Sequence, residues 1–164
     1  MTDIFISYSK HDRDLAEGLA TELESAPYEV WWDTNLVTGD DFTTVIREKI
    51  ETAKLVIVIW THDSINSIWV KAEANLALAG GKLAAVRVPE LAPQEIPLPF
   101  GLQHTPLIDD RFAILQAAVQ YCGAPREVAS VRANTEAAGT DAGERERKAI
   151  AFLQPPAIDA LPGM

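Results

Sequence analysis

The chain has 164 residues, about half of them apolar, and a formal net charge of -10, which suits one globular domain with a sizeable core plus a tail. The acidic balance argues against a nucleic-acid binder, which would normally show a basic face, and against an anionic membrane surface as a partner. A single cysteine, Cys122, excludes an internal disulfide framework and any cysteine-based zinc site.

Asp3 to Ser7 (DIFIS) is a short β-branched and aromatic run, read as a first strand. Its unbroken apolarity suits a strand buried on both faces, as in a parallel sheet. After a polar loop from Tyr8, Asp12 is expected to cap a helix to about Ser25, with Leu15, Leu19 and Leu23 at a spacing of four, and Pro27 stops it. Tyr28 to Asp33 (YEVWWD) reads as the second strand, with Trp31 and Trp32 on opposite faces. A polar loop, Thr34 to Asp40, leads to a helix opened by Asp40 or Asp41. It carries Phe42, Val45, Ile46 and Ile50 on one stripe, and an acid at its start suits the helix dipole. Lys54 to Trp60 is the third strand and the most apolar one.

After a loop from Thr61, Ser67 (or Asn66 before it) can cap a helix that runs through IWVKAEANLALA and stops at Gly80-Gly81. Trp69 and Glu73 are four apart, so a helix places them on one face. Ile68, Ala72 and Leu76 are expected to face the core and leave that pair at the rim. An indole beside a carboxylate at a helix start, directly after a strand, is the layout of a pocket at the carboxyl edge of a parallel sheet. A core tryptophan and a solvated glutamate would leave the same letters, so the weight comes from the surrounding chain.

Leu83 to Val88 reads as a fourth strand, and the proline-rich stretch from Pro89 to Pro99 cannot be regular. Thr105 to Ile108 is a short candidate fifth strand. Asp109 or Asp110 caps a last helix to about Tyr121, ended by Gly123 and Pro125. Residues 124–164, rich in Ala, Gly, Thr, Glu and Arg and then Pro, are expected to be a linker or C-terminal tail, either flexible or the lead-in to a further domain, with one possible helix near Glu144 to Leu153. No apolar stretch reaches the roughly 18 residues of a membrane helix. Met1 to Lys10 lacks the basic start and apolar run of a signal peptide, so a reducing, cytoplasmic compartment is expected.

Strand and helix alternate five times, which argues an α/β chain with a doubly wound, five-stranded parallel sheet and helices on both faces. Right-handed crossovers then put all strand carboxyl ends on one edge. Three loops meet there, carrying Tyr8 to His11, Asp33 to Phe42 and Thr61 to Glu73. Trp60 stands where a receiver domain would need its phosphorylated aspartate, and no acidic pair follows the first strand. Gly80-Gly81 follows a helix rather than opening one, which argues against a Rossmann dehydrogenase. His11, His62 and His104 show no ligand spacing, so no metal is expected.

Four pieces occur in a telling order: DIFISYS (Asp3 to Ser9), VWWDTNLVTGDDF (Val30 to Phe42), LVIVIW (Leu55 to Trp60) and S-x-W-x-x-x-E (Ser67 to Glu73). With them the sequence resembles a Toll/interleukin-1 receptor (TIR) domain of the bacterial, NAD-cleaving type, over about residues 2 to 122, so the domain is taken as residues 1–123. The resemblance implies a flavodoxin-like fold, in agreement with the pattern above. It also implies one of two roles: cleavage of NAD between nicotinamide and ribose, or scaffolding through assembly with other TIR domains.

For the enzymatic role the resemblance implies that Glu73 is catalytic, with NAD as substrate and no separate cofactor. Nicotinamide leaves as a neutral ring, so no general acid is needed, and positive charge passes to the ribose. One carboxylate near the anomeric carbon can stabilise that oxocarbenium-like state, electrostatically or as a covalent intermediate. The product would be ADP-ribose or a cyclic ADP-ribose isomer, in bacterial defence or virulence. Trp69 would position Glu73 or stack on nicotinamide. At the end of the first strand the backbone of Phe5, Ile6 and Ser7 would line the ribose, Tyr8 would help hold the nucleotide, and Lys10 is the phosphate candidate. Asp33 would touch ribose or hold its loop, and Phe42 would cap the pocket. The non-enzymatic alternative is a TIR–TIR interaction module, and assembly would also complete the active site through the loop of residues 34–42. A nucleoside deoxyribosyltransferase, a related fold that also uses a glutamate at an N-glycosidic bond, fits the motif order less well.

Overall fold

In the computed structural model, which describes residues 2–32 and 41–125, four strands form one parallel sheet. They are β1 (Ile4–Ser7), β2 (Val30–Trp31), β3 (Leu55–Trp60) and β4 (Leu83–Arg87), in the order β2-β1-β3-β4. Ser7 is in register with Val58, and Trp60 with Arg87. Every residue of β1 and β3 is buried, as their unbroken apolar runs require of strands covered on both faces.

Alternate residues of these strands feed two cores. Phe5, Val56, Val58 and Trp60 pack with Ile46 and Ile50 of α2 (Asp41–Thr52) and with Val70, Ala74 and Ala77 of α3 (Ile68–Ala79). Ile4, Ile6, Leu55, Ile57 and Ile59 pack with Leu19 and Leu23 of α1 (Arg13–Ser25) and with Ile114, Leu115 and Ala118 of α4 (Arg111–Cys122). Each fully buried Ile or Leu here contributes about 1.5–3 kcal/mol relative to exposure, so the two central strands anchor the fold. The adjacent tryptophans divide between the cores. Trp31 stacks on Phe5 at 5.0 Å between ring centroids, and Trp32 faces Tyr8 at 6.5 Å on the other side.

The amino edge of the sheet is closed by polar contacts. The buried Asp3 carboxylate accepts from the Glu29 backbone N–H at 3.1 Å and from Lys54 Nζ at 2.8 Å, which joins the starts of β1, β2 and β3. Tyr28 donates its hydroxyl to the Gly123 carbonyl at 2.9 Å, fastening the end of α4. Gly123 has φ 81, the left-handed region that suits glycine just past a helix.

Three expectations are corrected. The fifth strand is absent among the described residues: Leu107 makes one isolated parallel bridge with Arg87. Pro106 has no N–H to extend a ladder, and Asp110 is already the cap of α4, accepting from the Ala113 N–H at 3.1 Å. The sheet is therefore four-stranded within the flavodoxin-like arrangement. The second strand is only Val30–Trp31 within the expected 28–33: the Tyr28 N–H donates back to the Leu23 carbonyl at 3.3 Å and the Glu29 N–H to the Asp3 carboxylate at 3.1 Å. Asp12 stands at the N-cap of α1 as expected but makes no side-chain capping bond; its Oδ2 accepts from Thr61 instead. Asp33 with the loop to Asp40, and the expected tail from residue 126, lie outside the described residues. No helix among those described is long and apolar enough to cross a membrane.

Candidate active site

The site is built where β1 and β3 end. Beyond Trp60 the chain makes a short connection in which the Thr61 N–H donates to Ser64 Oγ at 2.7 Å and the Ser64 N–H to Thr61 Oγ1 at 3.1 Å, both residues being buried. Thr61 Oγ1 donates to Asp12 Oδ2 at 2.6 Å, tying the segment after β3 to the segment after β1. No motif marked that tie, because Asp12 and Thr61 meet only in the fold. Ser67 then caps α3, its Oγ accepting from the Val70 N–H at 3.3 Å.

α3 turns an unexpected stripe inward. Val70, Ala74 and Ala77 are buried, while Ile68 is 79% exposed, Leu76 40% and Ala72 also exposed. The helix is apolar almost all round, so periodicity did not say which stripe would face the sheet. Two alanines in the buried stripe let α3 lie close to the strands, which carries Glu73, beside Ala74, against the end of β1.

There Ser7 Oγ–H donates to Glu73 Oε2. Ser7 is the last residue of β1 and only 1% exposed, and Glu73 is half-buried. Burial pushes the Glu73 carboxyl up from 4.5 to about 7, and the Ser7 hydroxyl pulls it part of the way back down. No basic group shares in that shift. The result is a carboxyl that changes charge near neutral pH at the carboxyl edge of a parallel sheet, a combination typical of functional groups.

The other sequence candidates fall in different places. Trp69, one turn before Glu73, is 58% exposed, and half-buried Phe42 meets it edge-on at 6.5 Å between centroids. Ser7 with Glu73 and Phe42 with Trp69 thus form two contacting pairs, with Phe42 packed on the core that contains α3. Tyr8 lies on the opposite face with Trp32, where the Arg13 guanidinium stands 5.5 Å over the Trp32 ring. Lys10 is exposed in a 3-10 turn, Lys10–Asp12. Among the described residues no group of three His, Cys, Asp or Glu side chains could hold a metal ion. A groove of about 240 Å³ between β4 and α4, edged by Gln103, His104 and Gln120, includes neither Ser7 nor Glu73.

A family model described as "TIR domain" matches residues 4–119. No curated protein matches the chain. Solved structures do. The TIR domain of a Toll-related receptor, TRR-2, from Hydra magnipapillata is 21% identical with a TM-score of 0.55, covering 65% of this chain and 83% of that one. A TIR-STING receptor from C. gigas is 21% identical with a TM-score of 0.61, covering 70% of this chain and 38% of the receptor. The TIR domains of the activated Roq1 resistosome are 17% identical with a TM-score of 0.51, covering 94% of this chain and 100% of that one. At such identities the likeness concerns the fold.

Proposed function

This chain belongs to the TIR domain family, and we propose that it is an NAD glycohydrolase that breaks the bond between nicotinamide and ribose. The observation that carries the reading is the Glu73 carboxyl, half-buried at the carboxyl edge of the sheet and held by the Ser7 hydroxyl, with no cation against it among the described residues.

The bond broken joins a cationic pyridinium nitrogen to the anomeric carbon. Its two electrons leave with nicotinamide, which departs neutral, and positive charge develops on the ribose. A carboxylate whose charge is poorly solvated gains more from that cation than a fully solvated one would. Substrate that brings a positive ring to Glu73 also favours its ionised form. A general acid is unnecessary, which agrees with a solitary glutamate. Water then takes the ribosyl cation to ADP-ribose, or an internal nucleophile of the same molecule closes a cyclic isomer. Trp69, exposed one turn away and edged by Phe42, offers an aromatic face to the departing ring. Glu73 is the catalytic residue in this reading, with Trp69 and Phe42 lining the nicotinamide side; the cellular setting that the resemblance implies is defence or virulence.

One observation favours an interaction module as a second reading. Ile68, Trp69, Ala72 and Leu76 leave an apolar face of α3 open to solvent, and the Roq1 TIR domains are those of an assembled resistosome. The two readings are compatible, and both are separated by one experiment. Concentrated protein is incubated with NAD and the products are resolved by chromatography. Nicotinamide release is expected to rise more than linearly with protein concentration and to fall at least about 100-fold in Glu73→Ala. Wild-type turnover in that variant removes Glu73 from the mechanism. No turnover at any concentration leaves the interaction module alone.

A further inference from the structure

We propose that Ser7 is a positioning residue of this site: its hydroxyl holds Glu73 by Oε2, fixes the plane of the carboxylate and leaves Oε1 to meet the ribose, without touching substrate itself. The inference rests on the NAD-cleaving reading of Glu73 and deepens it. It also revises the sequence-based placing of Ser7 against the ribose.

The position of Ser7 favours this role. It is the last residue of β1, registered with Val58 of the fully buried strand β3, which fixes where its side chain starts. Side chains alternate along the strand, which puts Ser7 on the same face as Phe5, toward α3. At 1% exposure the side chain has almost no surface to offer a ligand. A hydroxyl has one hydrogen to donate, and it is spent on Oε2. Among the described residues Ser7 Oγ is the side-chain partner found for Glu73, and it engages Oε2.

The chemistry of the donor matters as well. A lysine or arginine at this position would orient the carboxylate equally well, but its charge would compete with the ribosyl cation for the same anion. A neutral hydroxyl orients one oxygen and leaves the net negative charge in place. It also favours the ionised form of Glu73 against burial, the direction in which the reaction needs it.

The test compares wild type, Ser7→Ala and Ser7→Thr by steady-state NAD cleavage from pH 5.5 to 9, with the Glu73 carboxyl titrated in parallel by carbon NMR. For Ser7→Ala we expect kcat to fall at least about tenfold with KM little changed, since the loss is of orientation and not of a substrate contact. The acid limb of kcat/KM and the NMR midpoint of Glu73 should both move upward by about one pH unit, because the ionised form has lost its donor. Ser7→Thr, which keeps the hydroxyl on a residue that strands favour, should restore both. Should alanine leave the strand unfolded by circular dichroism, Ser7→Cys, of similar size and with a weaker donor, carries the same test. A higher KM with an unmoved midpoint makes Ser7 a substrate contact and overturns the proposal. Unchanged kcat and midpoint overturn it too. Wild type that never cleaves NAD removes the underlying reading, an outcome distinct from active wild type with an indifferent Ser7→Ala.

Discussion

Replacing Glu73 by glutamine is expected to inactivate the protein and stabilise it in the same step. In the fold, burial holds this carboxyl near 7, against 4.5 for an ordinary glutamate. The raised value means that the folded state binds the proton more tightly than the unfolded chain does. Stability from this group is therefore intact below about pH 4.5, declines as pH rises, and is fully lost above about pH 7. At 1.36 kcal/mol for each pH unit, the loss at pH 8 comes to ~3 kcal/mol, with under about 1 kcal/mol felt at pH 5. Glutamine is neutral at both, fills the same space, and its carbonyl oxygen can still accept from Ser7. Urea unfolding of Glu73→Gln and wild type at pH 8 and pH 5 gives the comparison, with the quantity of interest being the difference between the two gains, about 2 kcal/mol in favour of pH 8. A gain that is equal at the two pH values would show that burial of the charge does not set the behaviour of Glu73. A loss at pH 8 would mean that the carboxylate stabilises the fold, which is incompatible with the site described.

Two further outcomes are expected. Trp69→Ala should cost little stability, since the ring is 58% exposed and its main neighbour is Phe42, but should raise KM for NAD about tenfold; unchanged KM in a stability-matched variant would remove the ring from the site. Ser67→Ala should lower stability by ~1 kcal/mol in a urea midpoint series, because the Val70 N–H loses its acceptor at the start of α3, and Ser67→Asp should recover most of it; a silent Ser67→Ala would mean that water serves the helix end equally well.

The parts of this fold that could be read from the letters are those governed by local rules. Leu55–Trp60 is continuous and apolar because a central parallel strand has no solvent face, and that run set the frame for everything else. Ser67 and Gly80-Gly81 bounded α3 correctly because capping depends on single residues. The misreadings have a common cause in tertiary competition. Thr105–Ile108 has strand composition, but Pro106 and the adjoining cap at Asp110 leave length for one bridge only. Asp12 looks like a helix cap, yet Thr61, 49 residues on, engages its carboxylate. In α3 two apolar stripes were available, and the smaller one went inward because close approach to the sheet favours alanine. The letters named Ser7 and Glu73 separately, but the link between them, 66 residues apart, belongs to the fold alone.

Two carboxylates of the same sheet show why the carboxyl edge is the one to watch. Asp3, at the amino edge, is buried and meets both a backbone N–H and the Lys54 ammonium, an arrangement that serves structure by joining three strand starts. Glu73, at the opposite edge, is half-buried with one neutral donor. A chain shaped for stability alone would give the second carboxylate a cation or turn it to solvent, since either would recover most of the cost of burying it. Among the described residues no cation meets Glu73, and the carboxyl stays half-buried, although α3 has exposed positions at Ala72 and Asn75 on either side of it. A positive charge brought to the end of β1 by a substrate would satisfy this group, as the proposed cleavage of NAD would do.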